Sequence, residues 1–131
     1  MPDLLDELMQ AAREASRSAY CPYSRFHVGA AVLAGGRIYP GANIENASYG
    51  LTVCAERTAV FRAILDGATR IEAVAVACVD AQDGSEPTHA MPCGACRQVL
   101  AEFCGPETPI LVDRVGRFTL AELLPLAFRL S

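Results

Sequence analysis

Ile71-Glu72-Ala73-Val74-Ala75-Val76-Ala77-Cys78-Val79 is the stretch on which the architecture turns. Apolar residues fall on both faces of any strand built from it, so it reads as a strand buried on both sides. Such a strand belongs inside a sheet that helices cover.

The flanking segments supply that cover. Cys54 to about Leu65 predicts a helix, closed by Asp66-Gly67. Before it, Val28 to Ala34 is a small apolar strand, Gly35-Gly36 a hairpin turn and Arg37 to Ala42 the return strand. Pro40 places that return strand at an edge or a bulge, since proline has no N–H to give a ladder. Leu4, Leu5, Leu8, Ala11, Ala12 and Ala15 recur at helical spacing and open the chain with an amphipathic helix. The helical stretch runs from Leu4 to Tyr20, and Cys21-Pro22-Tyr23-Ser24 ends it.

After the central strand, Asp80 to Met91 is a polar loop holding Gly84 and Pro87. Cys93 to about Phe103 is a helix and Pro109 to Val112 a strand. Val115-Gly116-Arg117 is a turn, and Phe118 to Leu120 a short last strand. Thr119-Leu120-Ala121-Glu122 has the capping-box pattern for a final short helix that Pro125 ends. The order α-β-β-α-β-α-β-β-α predicts an α/β fold, a mixed sheet covered by helices. No repeat, low-complexity tract or linker divides the chain, so residues 1–131 read as a single domain.

Just over half of the chain is apolar, yet no apolar run approaches membrane-spanning length. The opening stretch carries Asp3, Asp6, Glu7, Arg13, Glu14 and Arg17, unlike a signal peptide, so the expected location is the cytoplasm. Net charge is −4, all eleven basic residues are arginine, and no basic block is present to grip a nucleic-acid backbone. Six cysteines in such a chain favour metal ligation or buried thiols over a disulfide framework. Cys21, Cys78 and Cys104 lack ligand spacing, and Cys78 reads as a small core residue.

The chemistry lies in Cys54-Ala55-Glu56 and Pro92-Cys93-Gly94-Ala95-Cys96. Three thiols can hold a zinc ion and leave its fourth position open, as in catalytic sites. Glu56 is a carboxylate placed to handle the proton of a water there. Cys93 and Cys96 stand one helical turn apart, and Pro92 suits a helix start. Cys54 and Glu56 converge only at a helix end, so both metal-binding elements present helix N-termini. Those positive ends offset part of the charge of three thiolates, and Arg57 and Arg97 are candidates to donate hydrogen bonds to the sulfurs. A closed structural site is the alternative, with His89 or Cys104 as fourth ligand, but it leaves Glu56 without a role. His27, between Phe26 and Val28, reads as an ordinary surface or core histidine.

The pattern of a ligand two residues before Glu, followed by Pro-Cys-x-x-Cys, marks zinc-dependent deaminases. The chain resembles the short, homotetrameric class of cytidine deaminases over nearly its whole length. Besides the two zinc blocks, the resemblance rests on Tyr20 to Ala31, Gly41-Ala42-Asn43-Ile44-Glu45-Asn46-Ala47-Ser48-Tyr49, and Glu122-Leu123-Leu124-Pro125 with Phe128. It implies a three-layer α-β-α fold with a five-stranded mixed sheet. It also implies one Zn²⁺ per chain on Cys54, Cys93 and Cys96, with Glu56 as proton shuttle while an activated water attacks C4 of the pyrimidine. Asn43 and Glu45 would hold the ribose, backbone near Ala55 the pyrimidine edge, and Phe26 the ring face. Phe128 would come from a neighbouring subunit of a homotetramer with shared active sites. The implied reaction converts cytidine and 2′-deoxycytidine to the uridines, as in pyrimidine salvage, with a small-molecule nucleoside as substrate and no nucleic-acid or membrane partner. A deaminase for a cytosine-bearing antibiotic of the blasticidin kind is the alternative within the superfamily. A non-catalytic zinc-stabilised module is the alternative outside it.

Overall fold

A strand at Ala73–Cys78 (β3) forms the middle of the sheet in the computed structural model, which describes residues 3–82 and 86–130. The other strands are Val28–Ala34 (β1), Arg37–Ala42 (β2), Pro109–Val112 (β4) and Gly116–Thr119 (β5). Their spatial order is β2-β1-β3-β4-β5, with β3 and β4 parallel and the remaining pairs antiparallel. The fold is α/β with a mixed five-stranded sheet. Pro40 pairs with Ala31 on β2, the edge strand, where its missing N–H interrupts no second ladder.

The side chains of β3 alternate by size. Val74 and Val76 point toward one helical layer, made by Ala55–Leu65 (α2), Gly94–Phe103 (α3) and the short Leu120–Leu123 (α4). Val60, Leu100, Ile110 and Leu120 complete that core, each fully or almost fully buried, and burying a side chain of this size stabilises by roughly 1.5–3 kcal/mol. Ala73, Ala75 and Ala77 face the other way and pack with Leu8 and Ala12 of Leu4–Ala15 (α1). This alanine face lets α1 lie very close. A Cβ on Gly29 would stand 1.8 Å from the Ala12 carbonyl oxygen and 2.6 Å from Ser16 N.

Three boundaries differ from the sequence expectation. The α-helix α1 ends at Ala15 and tightens into a 3₁₀ turn at Ser16–Ser18, short of Tyr20. Ser16 Oγ donates to the Arg13 carbonyl at 2.6 Å, a local bond that competes with the helix ladder. The central strand is shorter than Ile71–Val79, because Ala81 N turns back to the Cys78 carbonyl. The β4–β5 turn occupies Asp113, Arg114 and Val115, with Arg114 left-handed at φ 64°, so β5 starts at Gly116. Leu120 accordingly belongs to α4, whose capping box joins Thr119 and Glu122 in both directions. The polar loop before α3 contains a 3₁₀ turn at Pro87–Ala90; Gly84 lies outside the described residues. No helix among the described residues is long and apolar enough to cross a membrane.

Candidate active site

The chain leaves β3 at its carboxyl end and re-enters as α3, and the α2 N-terminus meets that crossover there, a common place for ligand sites in open α/β sheets. Cys54 is the N-cap of α2 and Cys93 the N-cap of α3; Cys96 lies in the first turn of α3 and Glu56 in the first turn of α2. Both positive helix ends therefore face the sulfurs.

The Cys54 and Cys93 Sγ atoms are 3.9 Å apart, Cys93 and Cys96 3.4 Å, and all three lie within 4.8 Å of one another. Tetrahedral zinc with bonds of about 2.3 Å spaces its sulfurs about 3.8 Å apart. The donor set thus fits a metal. Among the described residues it is the one cluster of this kind, and neither His89 nor Cys104 belongs to it. The Cys54 thiol is brought down to about 5, first by a hydrogen bond with Cys96 and then by the Arg57 guanidinium. Cys96 moves up, chiefly because Cys54 and its own burial favour keeping its proton. One packed thiol thus carries charge readily while its neighbour resists, as expected of closely gathered sulfurs that share protons.

Arg57 Nη2 donates to Cys54 Sγ at 3.4 Å, while its buried Nε has no protein partner. Arg97 does something else. Its Nε donates to the Pro92 carbonyl at 2.8 Å and its Nη1 to the Leu123 carbonyl at 2.7 Å. Its guanidinium therefore ties the loop before Cys93 to the end of α4 and withdraws no charge from sulfur through these bonds.

A cavity of about 380 Å³ opens beside the thiols. Cys54, Ala55, Glu56 and Cys93 form one end, Phe26 a wall, and Asn43 and Glu45 another part of the lining. Glu56 is 4% exposed, and burial lifts its carboxyl to about 7 against the opposing pull of its own backbone N–H. A larger depression of about 480 Å³, lined by Arg37, Tyr39, Asp66 and Glu72 among others, gathers no such set of thiols.

Asn43 and Glu45 are both buried and both already bonded. Asn43 accepts from Val28 N at 2.9 Å and donates to the Phe26 carbonyl at 2.8 Å. Glu45 accepts from Tyr23 N, Ser24 N and Ser24 Oγ, and these bonds, the hydroxyl first, hold its carboxyl below the usual range. The two residues thus shape the loop carrying Phe26, each with hydrogen-bonding capacity left over. Phe128 is 68% exposed and lies outside this cavity; its carbonyl accepts from Gln98 Nε2. His27 donates its backbone N–H to Asp80 and pairs with it through Nδ1 at 2.6 Å.

Sequence reasoning gave no site role to Ser24, Val28, Thr52, Val76, Cys78, Ala90 and Met91, which also line the cavity, as do Tyr49 of the Gly41–Tyr49 segment and His89, the candidate fourth ligand. Cys78 reads as core because its strand is apolar throughout, and nothing local marks the end that opens onto a cavity. Ser24 had one signal, its place in a polar loop before a strand.

The chain resembles known proteins over its full length. A cytidine deaminase of Sporosarcina psychrophila is 46% identical across 95% of this chain and 90% of its own length. One of Mycobacterium tuberculosis is 47% identical across 100% and 95%. The crystal structure of cytidine deaminase from Mycobacterium tuberculosis superposes with a TM-score of 0.83 at 42% identity, covering 98% of this chain and 100% of that one. The model of the cytidine and deoxycytidylate deaminase zinc-binding region matches residues 2–112, and the chain belongs to that family.

Proposed function

We propose that this chain hydrolyses the exocyclic amine of cytidine and 2′-deoxycytidine, giving uridine or 2′-deoxyuridine and ammonia. The observation that carries the reading is the buried Glu56 carboxyl at the thiol end of a cavity large enough for a nucleoside. Family membership supplies the reaction class.

Cys54, Cys93 and Cys96 would hold one zinc ion, which when bound lowers the pKa of a water in its open position. Glu56 takes a proton from the attacking water and delivers it to N3, so that the ring accepts the oxygen at C4. Glu56 then carries the second proton to the amino group; the C4–N bond breaks and ammonia leaves. Burial suits this carboxyl to the task, because a charged and a neutral form lie close in free energy there. Arg57 steadies the charge on Cys54, and Arg97 positions the loop ahead of Cys93. Phe26 packs on the ring face, backbone at Ala55 meets the pyrimidine edge, and Asn43 and Glu45 use their remaining capacity on the ribose hydroxyls.

The proposed assembly is a homotetramer with shared sites, the whole chain acting as one deaminase domain in pyrimidine salvage. The exposed side chains of Leu126, Phe128 and Leu130 support it, since Phe128 is outside the cavity of its own chain. The proposed location is the cytoplasm, where the described free cysteines stay reduced.

The test is uridine formation by purified protein beside a Glu56→Ala variant of matched zinc content, with molar mass measured by light scattering. Turnover by wild type and none by the variant is expected. A zinc-loaded wild type inactive on both nucleosides would overturn the assignment.

A further inference from the structure

We infer that the wall made by Val76, Cys78, Ala90 and Met91 decides which groups the substrate can carry at C5 of its pyrimidine, with Cys78 setting the clearance. The inference deepens the nucleoside reading above and rests on it. The chemistry assigns the edges of the ring in turn. C4 must reach the open position beside the thiols, and N3 must face Glu56. O2 lies next to N3, toward the α2 N-terminus, and N1 carries the sugar toward Asn43 and Glu45. Phe26 takes a ring face. The C5–C6 edge remains, it bears only C–H groups, and it is matched by apolar surface.

The apolar lining without another task is this wall together with Val28 of β1, which sits opposite Cys78 in the β1–β3 register. Val76 and Cys78 are two apart on β3 and so share a face. Val76 is fully buried, and Cys78 is half-buried where the strand ends. The Cys78 thiol donates to the Ala90 carbonyl at 3.7 Å. That contact ties β3 to the turn before α3 and keeps the wall from receding. Burial pushes the Cys78 thiol up to about 12, so the wall is uncharged at working pH. Cysteine is larger than alanine and smaller than valine; valine favours strands, and β3 already carries Ala73, Ala75 and Ala77.

The test compares kcat/KM for 5-methylcytidine and cytidine in wild type, Cys78→Ala and Cys78→Val, with zinc content and circular dichroism followed throughout. One methyl group in an apolar pocket changes selectivity by about tenfold or more. The 5-methylcytidine to cytidine ratio is therefore expected to rise about tenfold in Cys78→Ala and to fall about tenfold in Cys78→Val. Ratios that stay at the wild-type value, both substrates moving in parallel, overturn the inference. If one variant does not accumulate folded with zinc, the direction taken by the other decides. Wild type inactive on cytidine overturns the nucleoside reading itself, a separate outcome from an unmoved ratio.

Discussion

Arg57 Nη2 stands 3.4 Å from Cys54 Sγ, the N-cap residue of the helix on which Arg57 itself sits. The contact lowers the energy of the thiolate without adding a ligand, so its loss acts on the reaction more than on metal retention. Arg57→Gln is expected to lose about 10–100-fold in kcat while keeping about one zinc per chain. Steady-state kinetics with metal analysis checks it; parallel losses of zinc and rate would contradict it.

Gly29 answers to space. A Cβ there meets the Ala12 carbonyl and Ser16 N, both backbone atoms that cannot swing away. Gly29→Ala should destabilise by about 3 kcal/mol, or prevent folding, as α1 is forced off the sheet. Gly35, at φ +58° with open space around it, should cost only about 1 kcal/mol on replacement by alanine. Urea unfolding midpoints of the two variants give the comparison.

Arg13 links α1 to the β4–β5 turn through two bonds to Asp113, at 2.8 and 3.1 Å. The pairing holds the Asp113 carboxyl below its ordinary value. A carboxyl depressed in the folded state stabilises above its unfolded pKa and loses that contribution as pH falls through the folded value. Arg13 is 48% exposed, so solvent screening limits the pair to about 0.5–1 kcal/mol. Asp113→Asn should lower Tm by about 2–4 °C at pH 7, and the gap should narrow as the pH drops below about 4. Melting curves at several pH values show whether it does.

Metal removal should silence the enzyme without unfolding it. The three thiols sit at helix ends, while the main core runs through Val74, Val76, Ile110, Leu100 and Leu120. Chelator-treated protein is expected to keep its far-ultraviolet circular dichroism, melt at lower temperature, and regain activity with zinc. Loss of the helical signal on chelation would show that the ion holds the fold together.

The elements were legible because burial imposes a period. Val28–Ala34 and Arg37–Ala42 match their expected bounds, and the alternation along β3 required cover on both faces. The boundaries that moved did so for bonds between residues the period does not describe, Ser16 to Arg13 and Ala81 to Cys78. Of the site, the parts within one short segment could be read, because Cys54 with Glu56 and Cys93 with Cys96 are held by the turn of a single helix.

The sequence by itself determined the order of strands and helices, the two cysteine segments, and the lack of any basic block along the chain. These follow from spacing along the chain. Tertiary structure decided the strand order β2-β1-β3-β4-β5 and the grouping of three sulfurs from two helices. It also decided that Arg97 serves carbonyls, that Asn43 and Glu45 brace the Phe26 loop, and that Cys78 faces a cavity. The physical reason is range. Periodicity and capping act over a few residues, whereas a hydrogen-bond partner or a cavity wall is chosen by closeness in space, after the chain has packed.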